Sequence, residues 1–260
     1  MTRPAPLDAL RFAFGTLTVL PVRVTRWDRP AARGGMLAAP LAGLVVGLAA
    51  AVAGGVLTAL GATPLLAAAG AVAVPAALTR GLHLDGLADT ADGLGSGKPA
   101  DEALRIMKQS DIGPFGVVAL VLTLLGQAAA LAACYGHGWV YGGAAAVVAA
   151  GTGRVAMTLA CRTGVPAARP GGLGAAVAGA VPRGAALAVV ALSVLGACAA
   201  GVAFGGLSGL RFLLAAVGGV LVSEALLRRC RGRFGGVTGD VFGAVCEVSA
   251  TSALLVLALR

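Results

Sequence analysis

Seven apolar stretches dominate the chain, at roughly 37–60, 64–79, 115–134, 138–160, 184–207, 209–227 and 240–259. An α-helix needs about 20 mostly apolar residues to cross a bilayer, and these runs approach or exceed that length. The second is short and can borrow residues from the loop that follows it. Strands are excluded, because the runs are too long and lack a period of two. The expected fold is an all-α, polytopic transmembrane bundle of about seven spans. Composition agrees: 58% of residues are hydrophobic and 12% are charged, against about 25% charged in soluble domains. The 41 glycines then serve as packing devices, since small residues let helix backbones approach closely in lipid.

Charge orients the spans. Arg3, Arg11, Arg23, Arg26, Arg29 and Arg33 precede the first, and Arg80, Lys98, Arg105 and Lys108 follow the second. Arg154, Arg162, Arg169 and Arg183 hold to or border the fourth connection, and Arg228, Arg229, Arg231 and Arg233 the sixth. Only Arg211 and Arg260 fall opposite. The positive-inside rule therefore predicts a cytoplasmic N-terminus and cytoplasmic even-numbered loops. His137, Trp139 and Tyr141 suit an aromatic belt on the far side. Residues 7–20 read as an amphipathic interfacial helix, and 22–35 as a polar linker containing Pro30, Gly34 and Gly35. The net charge of +9 comes with no nucleic-acid motif, so no nucleic-acid partner is expected. The five cysteines are odd in number and scattered, and read as free packing thiols. The whole chain, 1–260, reads as one integral-membrane catalytic domain with segment 1–35 cytoplasmic or interfacial.

The acidic residues are few enough to place individually. Asp85, Asp89 and Asp92 follow i, i+4, i+7 and share one helical stripe. Nothing basic separates them, and the intervening residues are Leu, Ala, Thr and Gly rather than the Lys and Glu of a solvated face. Stacked like charges repel unless a cation sits between them. Oxygen-only ligands favour Mg²⁺, with Mn²⁺ as a substitute. Asp240 and Glu247 are i, i+7 on the last span, and join them as a second segment. Together the acids predict one or two metal ions of the kind that assist phosphoryl transfer, with 80–114 and 228–247 as the active-site segments. Asp85, Asp89, Asp92 and Asp240 are the candidate metal ligands. Glu247 is the candidate base or helper acid, and Asp89 and Asp92 count as catalytic as well. Lys108, Ser110, Arg154 and Arg162 are candidate phosphate grips. His83 divides evenly between a ligand or proton carrier and a histidine bonded to a carbonyl. Glu224, four residues before Arg228, reads as a local ion pair.

With these residues in place, the chain resembles the adenosylcobinamide-GDP ribazoletransferases, the membrane-bound cobalamin synthases of bacteria. The resemblance rests on His83 through Gly93, Ile106-Met107-Lys108, Ile112 through Gly116, Arg154, Arg162, Gly172-Leu173-Gly174 and Gly235 through Glu247. Gln109 and Asp111 depart from the family pattern and receive no role. The resemblance implies that α-ribazole, or its 5′-phosphate, attacks the cobinamide-linked phosphate of adenosylcobinamide-GDP, with Mg²⁺ assistance. GMP leaves, and adenosylcobalamin or its 5′-phosphate forms. The partners implied are those two substrates and the lipid bilayer, with a homo-oligomer left open. Two other readings stand beside it. Asp89-x-x-Asp92-Gly93 is a half-motif of CDP-alcohol phosphotransferases, although Ala244 stands where their last acid falls. Intramembrane acids also suit a divalent-cation transporter, although transporters place them near the midplane.

Overall fold

The computed structural model describes residues 6–259, so Arg3 and Arg260 lie outside the described residues. In chain order the helices are α1 (Pro6–Leu17), α2 (Arg29–Ala59), α3 (Pro64–Leu78), α4 (Leu82–Gly95), α5 (Ala100–Ile106), α6 (Pro114–Gly136), α7 (Trp139–Ala160), α8 (Gly172–Val177), α9 (Arg183–Val202), α10 (Gly206–Phe234) and α11 (Gly239–Ala258). Among the described residues there are no β-strands, only two isolated bridges. Six helices, α2, α6, α7, α9, α10 and α11, are long and apolar enough to cross a membrane.

The seventh passage falls to α3. Its 15 residues rise about 22 Å, short of the roughly 30 Å hydrocarbon core. An 87° bend separates it from α4. Left-handed backbone at Arg80 and Gly81 makes the bend, with φ of 53° and 70°. The Gly81 amide returns 2.8 Å to the Ala76 carbonyl and closes the last turn of α3. Beyond it, α4 leaves the crossing direction and runs over one end of the bundle, against the first turns of α11. The short second run in the sequence is thus a short span followed by a helix of different purpose.

At the centre stands α7, whose Ala, Gly and Thr residues are buried along almost its whole length. Helices α2, α6, α9, α10 and α11 surround it. Two span boundaries differ from the sequence reading. The first span begins at Arg29 rather than near 37, because Asp28 caps it through the Ala31 amide at 3.0 Å and Pro30 presets its first turn. The presumed linker from 29 onward is therefore helix. Helix α10 continues through Arg228–Arg233 to Phe234, carrying its basic residues beyond the apolar run. The N-terminal helix is docked as well as amphipathic: Phe12 is fully buried and meets Trp27 edge-on at 5.5 Å. The short helices α5 and α8 have no counterpart in the periodicity.

With seven alternating passages, the 80–113, 161–182 and 235–238 connections lie at the same end as α1. At the other end Tyr141 stacks edge-on against Phe204 and Phe212 at 5.2 and 5.4 Å.

Candidate active site

The crossing of α4 over α11 builds the site. Gly86 approaches Asp240 so closely that an added Cβ would lie 2.6 Å from the Asp240 carbonyl oxygen. One turn deeper, a Cβ on Gly243 would meet the His83 carbonyl oxygen at 2.8 Å. Only glycine allows backbones this near. Because Asp85 and Asp89 flank Gly86, the contact carries both carboxylates beside Asp240. Thr238 starts α11 by accepting from the Val241 amide at 3.3 Å, and its hydroxyl donates to Asp240 Oδ2 at 3.0 Å. That pair fixes the Asp240 carboxylate at the mouth of the helix.

Asp85 is exposed, whereas Asp89 and Asp240 are half-buried. Burial, then the negative charges of Asp85, Asp240 and Asp92, push the Asp89 carboxyl up to about 7, with Arg169 opposing. The acids thus share a field short of positive charge. No three of them, among the described residues, bring ligand atoms within 4.8 Å of one another. An ion such as Mg²⁺, which takes one or two carboxylates and keeps waters or substrate phosphates as its other ligands, requires no tighter cluster.

Beside the acids opens a cavity of about 610 Å³ lined by Lys108, Arg169, the 170–175 loop and Val237–Asp240. The loop is held by a short parallel bridge, in which the Ala168 amide donates to Val237 O and the Val237 amide to Pro166 O, both at 2.9 Å. Arg169 Nη2 donates to the Leu104 carbonyl at 2.6 Å, and Nη1 lies 4.0 Å from Asp240 Oδ2. In the sequence Arg169 counts only among the basic residues that orient the spans. Its position just before Pro170-Gly171-Gly172-Leu173-Gly174, a glycine-rich run, was the signal for a substrate loop.

The remaining predicted residues divide. Lys108 is exposed at the rim of the cavity; Ser110 is exposed and does not line it. Asp92 takes a different partner from the one expected. Its Oδ2 accepts from the Gly113 amide at 2.8 Å and its Oδ1 from the Gly116 amide at 2.9 Å, so both oxygens cap the start of α6. A buried carboxylate at a helix N-terminus satisfies the unpaired amides there and interacts favourably with the dipole. Arg162 Nη2 donates to Glu224 Oε1 at 2.8 Å and Nη1 to the Leu159 carbonyl at 2.9 Å. Arg228 Nε reaches the same Glu224 oxygen at 3.0 Å, so the expected pair is present and Arg162 joins it. Arg154 and His83 are buried with Cys246, and Glu247 lies deeper along α11, its Oε2 accepting from Gln127 Nε2 at 2.9 Å. These four form a group of their own, away from the cavity.

A family model described as cobalamin-5-phosphate synthase matches residues 9–258. An adenosylcobinamide-GDP ribazoletransferase of Frankia casuarinae is 45% identical over 262 aligned residues, covering 96% of this chain and 94% of its own. One of Nocardioides sp. is 43% identical, covering 97% and 99%, and one of Stutzerimonas stutzeri is 42% identical, covering 98% and 97%. No solved structure matches.

Proposed function

We propose, from the premise that this chain belongs to the cobalamin-5-phosphate synthase family, that the groove formed by the cavity beside the α4–α11 crossing is where it carries out ribazole transfer. The reaction joins α-ribazole, or its 5′-phosphate, to adenosylcobinamide-GDP and releases GMP, a late step in making cobalamin. A ribose hydroxyl oxygen forms a bond to the cobinamide-linked phosphorus as its proton passes to solvent, and the bond from that phosphorus to the bridging pyrophosphate oxygen breaks, that oxygen leaving with GMP. The family assignment favours this over phospholipid synthesis or cation transport.

The observation that carries the site is the backbone contact at Gly86, which sets Asp85 and Asp89 beside Asp240. Transfer of this kind leaves little covalent chemistry to the protein; positioning and charge neutralisation do most of it. Asp85, Asp89 and Asp240 would hold Mg²⁺, or Mn²⁺ in its place, which when bound neutralises charge on the pyrophosphate. Arg169 and Lys108, which line the same cavity as Asp240, supply fixed and mobile positive charge for phosphate oxygens. Arg169 is pre-aimed by its bond to Leu104, whereas Lys108 is a flexible point charge. Gly171 and Gly172, with open space beside them, let substrate approach the loop backbone, while Gly174 packs the loop on the start of α11. Asp92 acts through α6, holding the segment that carries Lys108. By the charge rule this end of the bundle faces the cytoplasm of a bacterial inner membrane, where a polar nucleotide substrate is at hand.

The test is GMP release by purified protein in detergent. Asp89→Asn and Asp240→Asn should each lower turnover by about 100-fold or more, the scale of lost electrostatic stabilisation. Wild-type turnover in both variants would remove the assignment.

A further inference from the structure

Deeper between α4, α7 and α11 lies a second group of donors of different chemistry. Among the described residues, His83, Cys246 and Glu247 are the one trio of His, Cys, Asp or Glu whose ligand atoms all fall within 4.8 Å of one another. His83 Nδ1 is 3.9 Å from Cys246 Sγ. His83 is 5% exposed and Cys246 is fully enclosed. We propose that His83 Nδ1, Cys246 Sγ and a Glu247 carboxylate oxygen bind one transition dication of the zinc class, distinct from the oxygen-lined groove.

The donor set selects the ion. Nitrogen, sulfur and oxygen together suit zinc and its neighbours, while a thiolate is a poor ligand for Mg²⁺. In a tetrahedral zinc site, bonds of about 2.3 Å to sulfur and 2.0 Å to nitrogen place those atoms about 3.5 Å apart. The Nδ1–Sγ separation of 3.9 Å is within a few tenths of an ångström of that value, and the Glu247 oxygen lies within 4.8 Å of both atoms. Gln127 already fixes one oxygen of Glu247 through Nε2, at 2.9 Å, the kind of support that orients a metal-binding carboxylate. A cavity of about 40 Å³ borders Glu247 and Arg154. His83 and Cys246 do not line it, so it has room for a water on the Glu247 side of the trio, one water needing about 10–15 Å³ of such space.

Arg154 sets the charge that the site has to balance. Its side chain is 3% exposed, and its Nε and Nη2 have no hydrogen-bond partner, while Nη1 donates to Cys246 Sγ at 3.3 Å. A guanidinium inside a membrane bundle requires negative charge. Glu247 beside it is one source; the second is Cys246, whose thiol gives its proton to water when the metal binds, so that the thiolate sits against Arg154. The dication and Arg154 then face the thiolate and the Glu247 carboxylate, and a hydroxide or chloride in the fourth position completes neutrality. Such an ion would pin α4 to α11 one turn below Gly86 and so hold the aspartates in register.

The test is elemental analysis and spectroscopy of the whole protein in detergent, loaded with zinc or cobalt(II) under reducing conditions. Zinc should remain at one equivalent per chain after desalting, and in Asp89→Asn equally, because that variant alters only the groove. Cys246→Ser and His83→Gln should retain about tenfold less or lower still. Cobalt-loaded wild type should show a sulfur-to-cobalt charge-transfer band that Cys246→Ser lacks. If folded wild type takes up no zinc and shows no such band, the proposal is overturned, whatever the variants do. Zinc lost from Asp89→Asn but kept by Cys246→Ser would overturn it too, by moving the ion to the groove.

Discussion

Two aspartates three residues apart on one helix have opposite tasks, and their partners separate them. Asp92 spends both oxygens on the Gly113 and Gly116 amides of α6. Asp92→Asn removes the charge and offers one acceptor oxygen in place of two. It should lower stability by about 1–3 kcal/mol, read as a lower melting temperature with or without Mg²⁺. Asp89 faces other acids instead. Its carboxyl lies near 7 in the fold, raised by burial and by Asp85, Asp240 and Asp92 from an ordinary 3.8. A raised carboxyl contributes stability that is full below pH 3.8 and is lost as pH rises through about 7. Without dication, Asp89→Asn should therefore melt above wild type at pH 8, with the gap closing toward pH 4. Adding Mg²⁺ at pH 8 should stabilise wild type and leave the variant nearly unchanged. A variant that melts below wild type at pH 8 without metal would contradict this placement of the charge. Spacing in the sequence assigned the three acids to one stripe and could not tell a ligand from a cap, because the Gly113 and Gly116 amides come from another helix.

At the scale of elements, the decisive contact is α4 on α11. Gly86→Ala puts a methyl group 2.6 Å from the Asp240 carbonyl, which is backbone and cannot swing away. The helices must part, and the aspartates with them. Turnover should fall by about tenfold or more, on the scale that a misplacement of about 1 Å costs, while helix content by circular dichroism stays as in wild type. Full activity in Gly86→Ala would mean that the register of this crossing is irrelevant to the reaction. Much of this layer was legible: the apolar runs locate the seven passages, and the glycines among the acids mark a close approach. What escaped was any signal that depends on a tertiary partner. Arg169 becomes a groove residue only because Ala168 and Val237 bridge the loop back over α11. The start of α2 was hidden because a polar first turn reads as linker until the Asp28 cap is seen to hold it. Arg169→Ala should raise KM for adenosylcobinamide-GDP more than it lowers kcat, as expected of a residue that binds phosphate throughout the reaction.

On the scale of the whole molecule, the bundle is a device for holding a polar site at one end of an apolar column. All the groove residues lie with the basic connections, and the opposite end carries Arg211 among the aromatic rings of His137, Trp139 and Tyr141. The same asymmetry that orients the chain therefore decides which compartment supplies substrate. Four of the five cysteines are buried and Cys198 lies within α9, so background labelling by a membrane-impermeant maleimide should be low. Ser110, beside the groove, and Trp139, at the far turn, are both exposed. In inside-out vesicles Ser110→Cys should react and Trp139→Cys should not; in right-side-out spheroplasts the order should reverse. Adenosylcobinamide-GDP with Mg²⁺ should also slow labelling at Ser110→Cys, since filling the groove crowds the Lys108 segment, and leave Trp139→Cys unaffected. Labelling of Ser110→Cys from outside the cell would put the nucleotide site in the wrong compartment for GMP chemistry and invert the topology argued from charge.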